Sequence, residues 1–181
     1  GGLPPELARG LASRYWQQGG DGMYTFNWFP DQKHLRYQVD LLAMIGDPKR
    51  LDGTDKIFAA DRGSPQMAYP HNWMHTRLPM TLEPNQVGTV PITLGPIATG
   101  SSAPKTLQMH VECDPLPKVQ SLSIMLNGTR LPPGQVAGSR LVIALPPASV
   151  RAGLNKAKLV LSRGKVSVKA LEIHVRHQLQ P

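Results

Sequence analysis

The chain has 181 residues, of which 40% are hydrophobic and 18% charged, and a formal net charge of +8. It is too short for a complete (β/α)8 barrel, which needs roughly 250 residues, and its composition is that of a globular chain. No apolar run reaches the ~18 residues of a membrane-spanning helix, and the lone Cys113 excludes an internal disulfide and a cysteine metal cluster.

The charge is distributed unevenly along the chain. Residues 1–65 contain eight acidic and eight basic residues, whereas residues 66–181 contain four acidic and twelve basic residues. The whole excess of positive charge therefore lies in the second part. A shift of this size predicts two units of different character, 1–65 and 66–181.

The first unit predicts a helix, a buried strand and a second helix. An amphipathic helix begins at Pro4-Pro5 and extends to about Gln18. Residues 22–29 are aromatic and β-prone on both faces, which is typical of a strand covered on both sides. Residues 35–45 are predicted to form a second amphipathic helix that ends at Gly46, and a short helix is predicted within residues 48–61, around Ile57-Phe58.

The segment from residue 12 to residue 29, ASRYWQQGGDGMYTFNWF, resembles the last strand and flanking helices of bacterial family 10-like glycoside hydrolases, which are (β/α)8 (TIM) barrels. Residues 52–63, DGTDKIFAADRG, resemble the stretch that leads out of those barrels, and a β-sandwich follows there from a position equivalent to Leu78. The resemblance covers residues 8–95. It implies that residues 1–65 are a helix–strand–helix remnant of such a barrel, and it favours an extracellular or periplasmic location.

The second unit has the alternating pattern of short strands. Its turn signals are Asn127-Gly128 and Arg163-Gly164, and Ala170 is a predicted bulge. The candidate strands are 78–82, 88–94, 105–112, 119–126, 139–145, 157–162 and 165–176. They predict a mainly β fold, an antiparallel β-sandwich over residues 66–181. Residues 145–155 also resemble a stretch of the jelly-roll domains appended to glycosidases.

Four residues are candidates for carbohydrate contact. Asn27 and Trp28 end the strand of the barrel remnant, at the end where such barrels bind substrate, although packing alone would also explain them. Trp73 lies in a predicted exposed loop, where its ring could stack on a sugar beside His75. His71 and His75 have helical ligand spacing but no third ligand, so we predict neither a metal site nor a cofactor.

Six basic residues without an intervening acid follow in the second unit: Arg151, Lys156, Lys158, Arg163, Lys165 and Lys169. Such a cluster could attract an anionic polymer, or it could be a solvated face that discourages edge pairing of strands. Residues 158–169 hold no aromatic residue, so nucleic acid is not favoured. Cys113 and His110 should lie on opposite faces of one strand, which argues against a cysteine nucleophile.

The resemblance implies that the catalytic carboxylates lie on barrel strands that this sequence does not contain. We therefore expect no catalytic residues here, and a non-catalytic C-terminal region of a glycoside-hydrolase-like protein. Its sandwich would have an accessory, structural or carbohydrate-binding role. The alternative is a stand-alone module that binds carbohydrate or an anionic polymer, with a dimer formed through strand 22–29. Expected partners are carbohydrate, the rest of a parent barrel or a second copy, and no membrane.

Overall fold

The structure, a computed structural model, describes residues 4–25, 35–61 and 77–177. Within these ranges it contains two α-helices, α1 (Pro5–Gln17) and α2 (Leu35–Ile45), and ten strands. The strands are β1 (Lys56–Ala59), β2 (Met80–Leu82), β3 (Val87–Leu94), β4 (Thr106–Asp114), β5 (Leu122–Leu126), β6 (Thr129–Arg130), β7 (Gln135–Ala137), β8 (Arg140–Ala144), β9 (Gly153–Leu161) and β10 (Val166–Arg176). The predicted mainly β fold is confirmed.

The strands form two antiparallel sheets that pack as a sandwich. The first sheet has the order β1-β10-β4-β8-β7, and β2 also pairs with β10. The second sheet has the order β3-β9-β5-β6. Alternate residues of each strand point inward, so that Met109 and Ile173 of the first sheet and Leu126 and Leu159 of the second are completely buried in one core. Truncating one such side chain to alanine removes about 2–5 kcal/mol of stability.

β10 is the longest strand, and its ladder is interrupted at one point. The register with β4 shifts between Val168 and Ala170, so the extra residue is Lys169, one position before the predicted bulge at Ala170. On the other side of β10, the part before the bulge pairs with β2 and the part after it pairs with β1. One strand therefore joins two segments that are far apart in sequence.

Helix α1 packs against the sandwich where β1 and β3, the edge strands of the two sheets, lie side by side. Its approach depends on glycine: a Cβ on Gly10 would collide with the carbonyl oxygen of Ile57, and a Cβ on Gly95 would collide with the hydroxyl of Ser13. Proline in the first turn and Glu6 favour the start of α1. The helix thus covers an edge that would otherwise be open.

A second, smaller core joins the two helices. Ala8 and Ala12 of α1 pack on Leu41 and Ile45 of α2 and on Leu51. The indole N–H of Trp16 donates to the carbonyl of Ile45 at 2.9 Å. This satellite core holds the N-terminal region together without entering the core of the sandwich.

The two ends of the described chain meet beside β1. Arg176 Nη1 lies 3.3 Å from Glu6 Oε1 and 3.4 Å from Asp55 Oδ2. The backbone N–H of His177 donates to Asp55 Oδ1 at 2.7 Å, and Arg9 Nε donates to the Asp55 carbonyl at 2.7 Å. These contacts link α1, the start of β1 and the end of β10.

The structure differs from the elements predicted for residues 1–65 at two points. Of the short helix predicted within residues 48–61, the structure has a 3-10 helix at Pro48–Leu51, but the predicted position around Ile57-Phe58 is wrong. Those two residues are in β1, where pairing with β10 and burial of Phe58 decide the conformation. Of the predicted strand 22–29, residues 22–25 lie outside the helices and strands, and the rest lies outside the described residues. The division at residue 65 also lies there, and it stays a prediction.

Candidate functional site

The four residues predicted to contact carbohydrate, Asn27, Trp28, Trp73 and His75, lie outside the described residues, as does His71. They stay predictions. Within residues 4–25, 35–61 and 77–177, no group of three or more His, Cys, Asp or Glu side chains is placed to hold a metal ion. In the same ranges, no helix is long and apolar enough to cross a membrane.

The described residues form one large open cavity at an end of the sandwich, which we call the end cavity. Its walls come from the connection between β3 and β4 and from the connection between β8 and β9, and its volume is about 770 Å³. The apolar part of the lining includes Ile97, Pro147 and Val150. The polar and charged side chains of the lining are Thr99, Lys105, Thr106, Gln108 and Arg151.

The β8–β9 wall of the end cavity is fixed by Asn155, which is completely buried. Its Oδ1 accepts hydrogen bonds from Asn127 Nδ2 at 2.7 Å and from the backbone N–H of Arg151 at 3.0 Å. Its Nδ2 donates to the carbonyls of Arg151 and Gly153 at 2.8 and 2.9 Å. Every hydrogen-bonding position of the amide is therefore used, as burial of a polar side chain demands.

Asn127 extends this network to the next turn. Its backbone φ is 52°, and the φ of Gly128 is 90°, as the predicted Asn-Gly turn requires. Asn127 Nδ2 donates to the Ser149 carbonyl at 3.0 Å, and Oδ1 accepts from the backbone N–H of Lys156 at 3.0 Å. The stretch 145–155, which the sequence singled out, is thus clamped against the β5–β6 turn, and the cavity wall is preorganised.

The charge of the end cavity is positive. Lys105 and Arg151 are exposed, and among the described residues no acidic one contributes to the lining. Arg151 Nε donates to the Leu154 carbonyl at 3.1 Å, which orients the guanidinium. The cavity therefore combines apolar walls with hydrogen-bond donors, an arrangement that suits an uncharged or anionic ligand.

A second group of polar side chains lies on the outer face of the first sheet; we call it the polar cluster. It consists of His110, Glu112, Arg140, Glu172 and His174. The rings of His110 and His174 are stacked, with centroids 3.7 Å apart. Glu172 Oε2 lies 2.9 Å from His174 Nε2 and 2.9 Å from Arg140 Nη1, and Arg140 Nη2 lies 3.2 Å from Glu112 Oε2.

The environment of the polar cluster fixes its charges. The hydrogen bond from His174, together with nearby Arg140, holds the pKa of Glu172 below its usual range despite partial burial. Burial and the neighbouring His174 lower the pKa of His110 to about 4. At neutral pH Glu172 is ionised and His110 is neutral.

The acids of residues 66–181 bear on the question of catalysis. Each of them is paired with a cation: Glu83 with Lys165 at 3.1 Å, Asp114 with Lys169 at 3.8 Å, and Glu112 and Glu172 with Arg140. A glycosidase needs one carboxyl group that stays protonated near neutral pH as a general acid. The low pKa of Glu172 is opposite to that requirement.

Cys113 is in the core and 3% exposed, and burial raises the pKa of its thiol to about 11. His110 lies on the opposite, outer face of β4, as strand geometry predicted. The thiol is therefore protonated at neutral pH and lies away from the imidazole, so the pair is not a nucleophile and base.

The sequence analysis did not predict the polar cluster, although the strands that form it have an alternating pattern of polar residues. The polar residues of β4 alternate as Gln108, His110 and Glu112, and those of β10 include Glu172 and His174. Only the register between the strands, which pairs Glu172 with His110, shows that the two sets meet.

No family model matches the chain, and no curated protein matches it. Among solved structures, it is similar to a β-porphyranase of glycoside hydrolase family 86 from the human gut bacterium Bacteroides plebeius, with a TM-score of 0.46 and 10% identity over 70% of this chain and 21% of that chain. It is also similar to two structures of BuGH86 in complex with neoagarooctaose, one wild type and one variant, each with a TM-score of 0.43 and 9% identity over 66% of this chain and 18% of theirs.

The chain thus spans about a fifth of the length of these structures. The structures to which it is similar are glycoside hydrolases of family 86, and the resemblance to the family 10 barrel stays a prediction.

Proposed function

We propose that the chain is a non-catalytic C-terminal region of a glycoside-hydrolase-like protein, and that its β-sandwich binds carbohydrate in the end cavity. The observation that carries this proposal is the preorganised cavity of about 770 Å³ between two connections of the sandwich. Its volume is within the range of ligand sites, roughly 300–1,000 Å³.

The lining matches the two kinds of surface that a sugar presents. Ile97, Pro147 and Val150 offer apolar contact to the C–H face of a pyranose ring. Gln108 and Arg151 offer hydrogen bonds to its hydroxyl or acidic groups. Because Asn155 holds the β8–β9 wall in place, little ordering of that connection is needed when a ligand binds.

The non-catalytic part of the proposal is supported by the ion pairing of the acids after residue 65. The barrel part is supported by the resemblance of residues 12–29 and 52–63, with the remaining strands in a parent protein. In that setting Asn27, Trp28, Trp73 and His75 would add contacts to substrate.

The test is binding of the full chain to a panel of oligosaccharides that includes neoagarooctaose, measured by calorimetry and by tryptophan emission. Ala144 lines the end cavity and is exposed, so Ala144→Phe should fill the site without disturbing the core. Ala137 is exposed on β7 outside the cavity lining, and Ala137→Phe is the matched control. We expect binding that Ala144→Phe weakens at least tenfold and that Ala137→Phe leaves unchanged.

Two results would contradict the proposal. If no member of the panel binds, or if both variants bind as the wild type does, the end cavity is not a carbohydrate site. Release of reducing sugar from any substrate by the chain alone would contradict the non-catalytic assignment.

A further inference from the structure

The second sheet contains no acidic residue in any of its four strands. Their sequences are VGTVPITL in β3, GLNKAKLVL in β9, LSIML in β5 and TR in β6. Three cations are exposed on the outer face of this sheet: Arg130, Lys156 and Lys158. We call this surface the basic face.

Strand register places the three cations on one side. Ala157 and Leu159 are completely buried. Lys156 and Lys158 alternate with them along β9 and therefore point outward, about 7 Å apart. Lys158 pairs with Met125, and Met125 pairs with Arg130, so these residues form one row across the sheet. Two strand spacings separate Lys158 from Arg130, which is about 10 Å.

Other cations of the predicted basic cluster have partners on the protein itself. Lys165 and Lys169 form ion pairs with Glu83 and Asp114, and Arg163 Nε donates to Ser121 Oγ at 3.1 Å. In the part of the chain that the structure describes, no acidic side chain lies within ion-pair distance of the basic face. The fold therefore divides the basic cluster of the sequence into residues with partners on the protein and residues without an acidic partner among the described ones. Arg130, which is not a member of that cluster, lies beside the second group.

Protection of a strand edge does not explain the two lysines. β9 is hydrogen-bonded to β3 on one side and to β5 on the other, so it has no free edge. Lysines that discourage edge pairing are needed on edge strands. Lys156 and Lys158 instead lie in the middle of an open sheet face.

We propose that the basic face binds an anionic polysaccharide, a chain that carries sulfate or carboxylate groups. Three cations about 7–12 Å apart face solvent on strands that contain no acidic residue, so the charge of this face complements that of a polyanion. Thr89, next to Lys158 on β3, and Ser123 on β5 add hydroxyl groups to the same face. This surface is separate from the end cavity, so the inference goes beyond the proposed function and does not rest on it.

A polysaccharide fits this face better than a nucleic acid does. The four strands contain no aromatic residue on which a base could stack, and single-stranded nucleic acids depend on such stacking. The basic face is also a sheet surface and presents no helix that could enter the major groove of a duplex.

The test uses the full chain and three probes: dextran sulfate, uncharged dextran of the same length, and single-stranded oligothymidylate. The test variant is Arg130→Gln/Lys156→Gln/Lys158→Gln. The matched control, Lys49→Gln/Arg50→Gln/Lys118→Gln, removes the same charge from exposed sites outside the four strands of the second sheet. Affinities are measured by calorimetry at several salt concentrations, and circular dichroism checks the fold of both variants.

We expect the wild type to bind dextran sulfate and not dextran, and the test variant to lose at least tenfold in affinity while the control loses less than twofold. With three contacts and the coefficient for single-stranded polyanions, the slope of log K against log salt should be about −2 and should approach zero in the test variant. Ala144→Phe should bind dextran sulfate as the wild type does, which separates this result from that of the end cavity.

Three outcomes would overturn the inference. The first is no binding of dextran sulfate at low salt. The second is an equal loss in both triple variants, which would mean that net charge alone is responsible. The third is binding of oligothymidylate as tight as that of dextran sulfate, which would assign the face to nucleic acid.

Discussion

The outer faces of the two sheets differ in the pairing of their charged side chains. On the first sheet, Arg140 bridges Glu112 and Glu172, and His174 contacts Glu172, so that opposite charges neutralise one another in a half-buried cluster. On the second sheet, Lys156 and Lys158 are exposed, and the four strands contain no acidic residue. A net charge of +8 therefore does not indicate where on the molecule a partner binds. What matters is which charges the fold leaves unpaired.

The same comparison separates stabilising polar groups from those open to a partner. Paired and partly dehydrated groups are costly to disturb, because removal of one leaves the others without compensation. Exposed and unpaired lysines can be exchanged at little cost to stability. Four predictions follow this division.

The largest effect is expected for Asn155→Ala. Asn155 belongs to the second sheet, but its side chain is buried and makes four hydrogen bonds. Its loss should lower the free energy of unfolding by about 3–4 kcal/mol, at about 1 kcal/mol for each bond. Urea denaturation measures this, and Lys158→Gln on the same strand is the control, with an expected change within about 0.5 kcal/mol. Equal effects of the two variants would contradict the expected difference between a buried, hydrogen-bonded side chain and an exposed, unpaired one.

Glu172→Ala tests the first sheet. The variant leaves His174 without its carboxylate and Arg140 with Glu112 alone in a half-buried site, so we expect a loss of about 2–3 kcal/mol in the free energy of unfolding. Glu83→Ala is the control, because Glu83 is half-exposed and its partner Lys165 is 70% exposed. A loss for Glu172→Ala no larger than that for Glu83→Ala would show that the polar cluster is not stabilising.

The polar cluster should also make stability depend on pH. The pKa of His110 is lowered to about 4 in the folded protein, so between about pH 6.5 and 4 the unfolded chain binds more protons than the folded one. Stability should therefore fall from neutral pH to about pH 5.5, with a slope approaching one proton. Further loss follows at lower pH as Glu172, whose pKa is also lowered, is protonated.

His110→Phe keeps a stacked ring and removes this titration. Denaturation curves at several pH values should show a flatter slope for the variant than for the wild type. Parallel slopes for the two proteins would mean that other groups dominate the acid response.

The smallest effect is expected for the exposed pair of Glu83 and Lys165, whose atoms are 3.1 Å apart. A double-mutant cycle with Glu83→Gln and Lys165→Gln should give a coupling of about 0.5 kcal/mol or less at low salt, and less at high salt. A coupling above about 1 kcal/mol would mean that this exposed pair stabilises the fold, as we expect of the polar cluster.

Much of the sandwich could be predicted from sequence because its signals are local. Asn127-Gly128 specifies a tight turn, and Ala170 interrupts two alternating runs, so β5 and β10 have the predicted form. β1 could not be predicted in this way. It has four residues, one of them the buried Lys56, and its conformation depends on pairing with β10 more than a hundred residues later.

The candidate sites were less predictable for the same reason. The sequence singled out residues 145–155 through a resemblance to jelly-roll domains, but the contact of this stretch with Asn127 depends on the approach of two loops. Arg130 lies in a strand of two residues, outside the basic cluster seen in the sequence, and only the register of β5 and β6 places it opposite Met125. Which residues meet in these sites depends on pairing between distant segments, and a local sequence pattern does not show it.

The contact between Glu6 and Arg176 has a consequence for how this unit could be used in larger proteins. Because Arg176 Nη1 and Glu6 Oε1 are 3.3 Å apart, the first helix and the last strand of the described residues meet at one place. Units with adjacent ends can be inserted into a surface loop of a host without separating the two flanking halves of that host. The same architecture can thus serve as a guest inside another domain as readily as at the end of a chain.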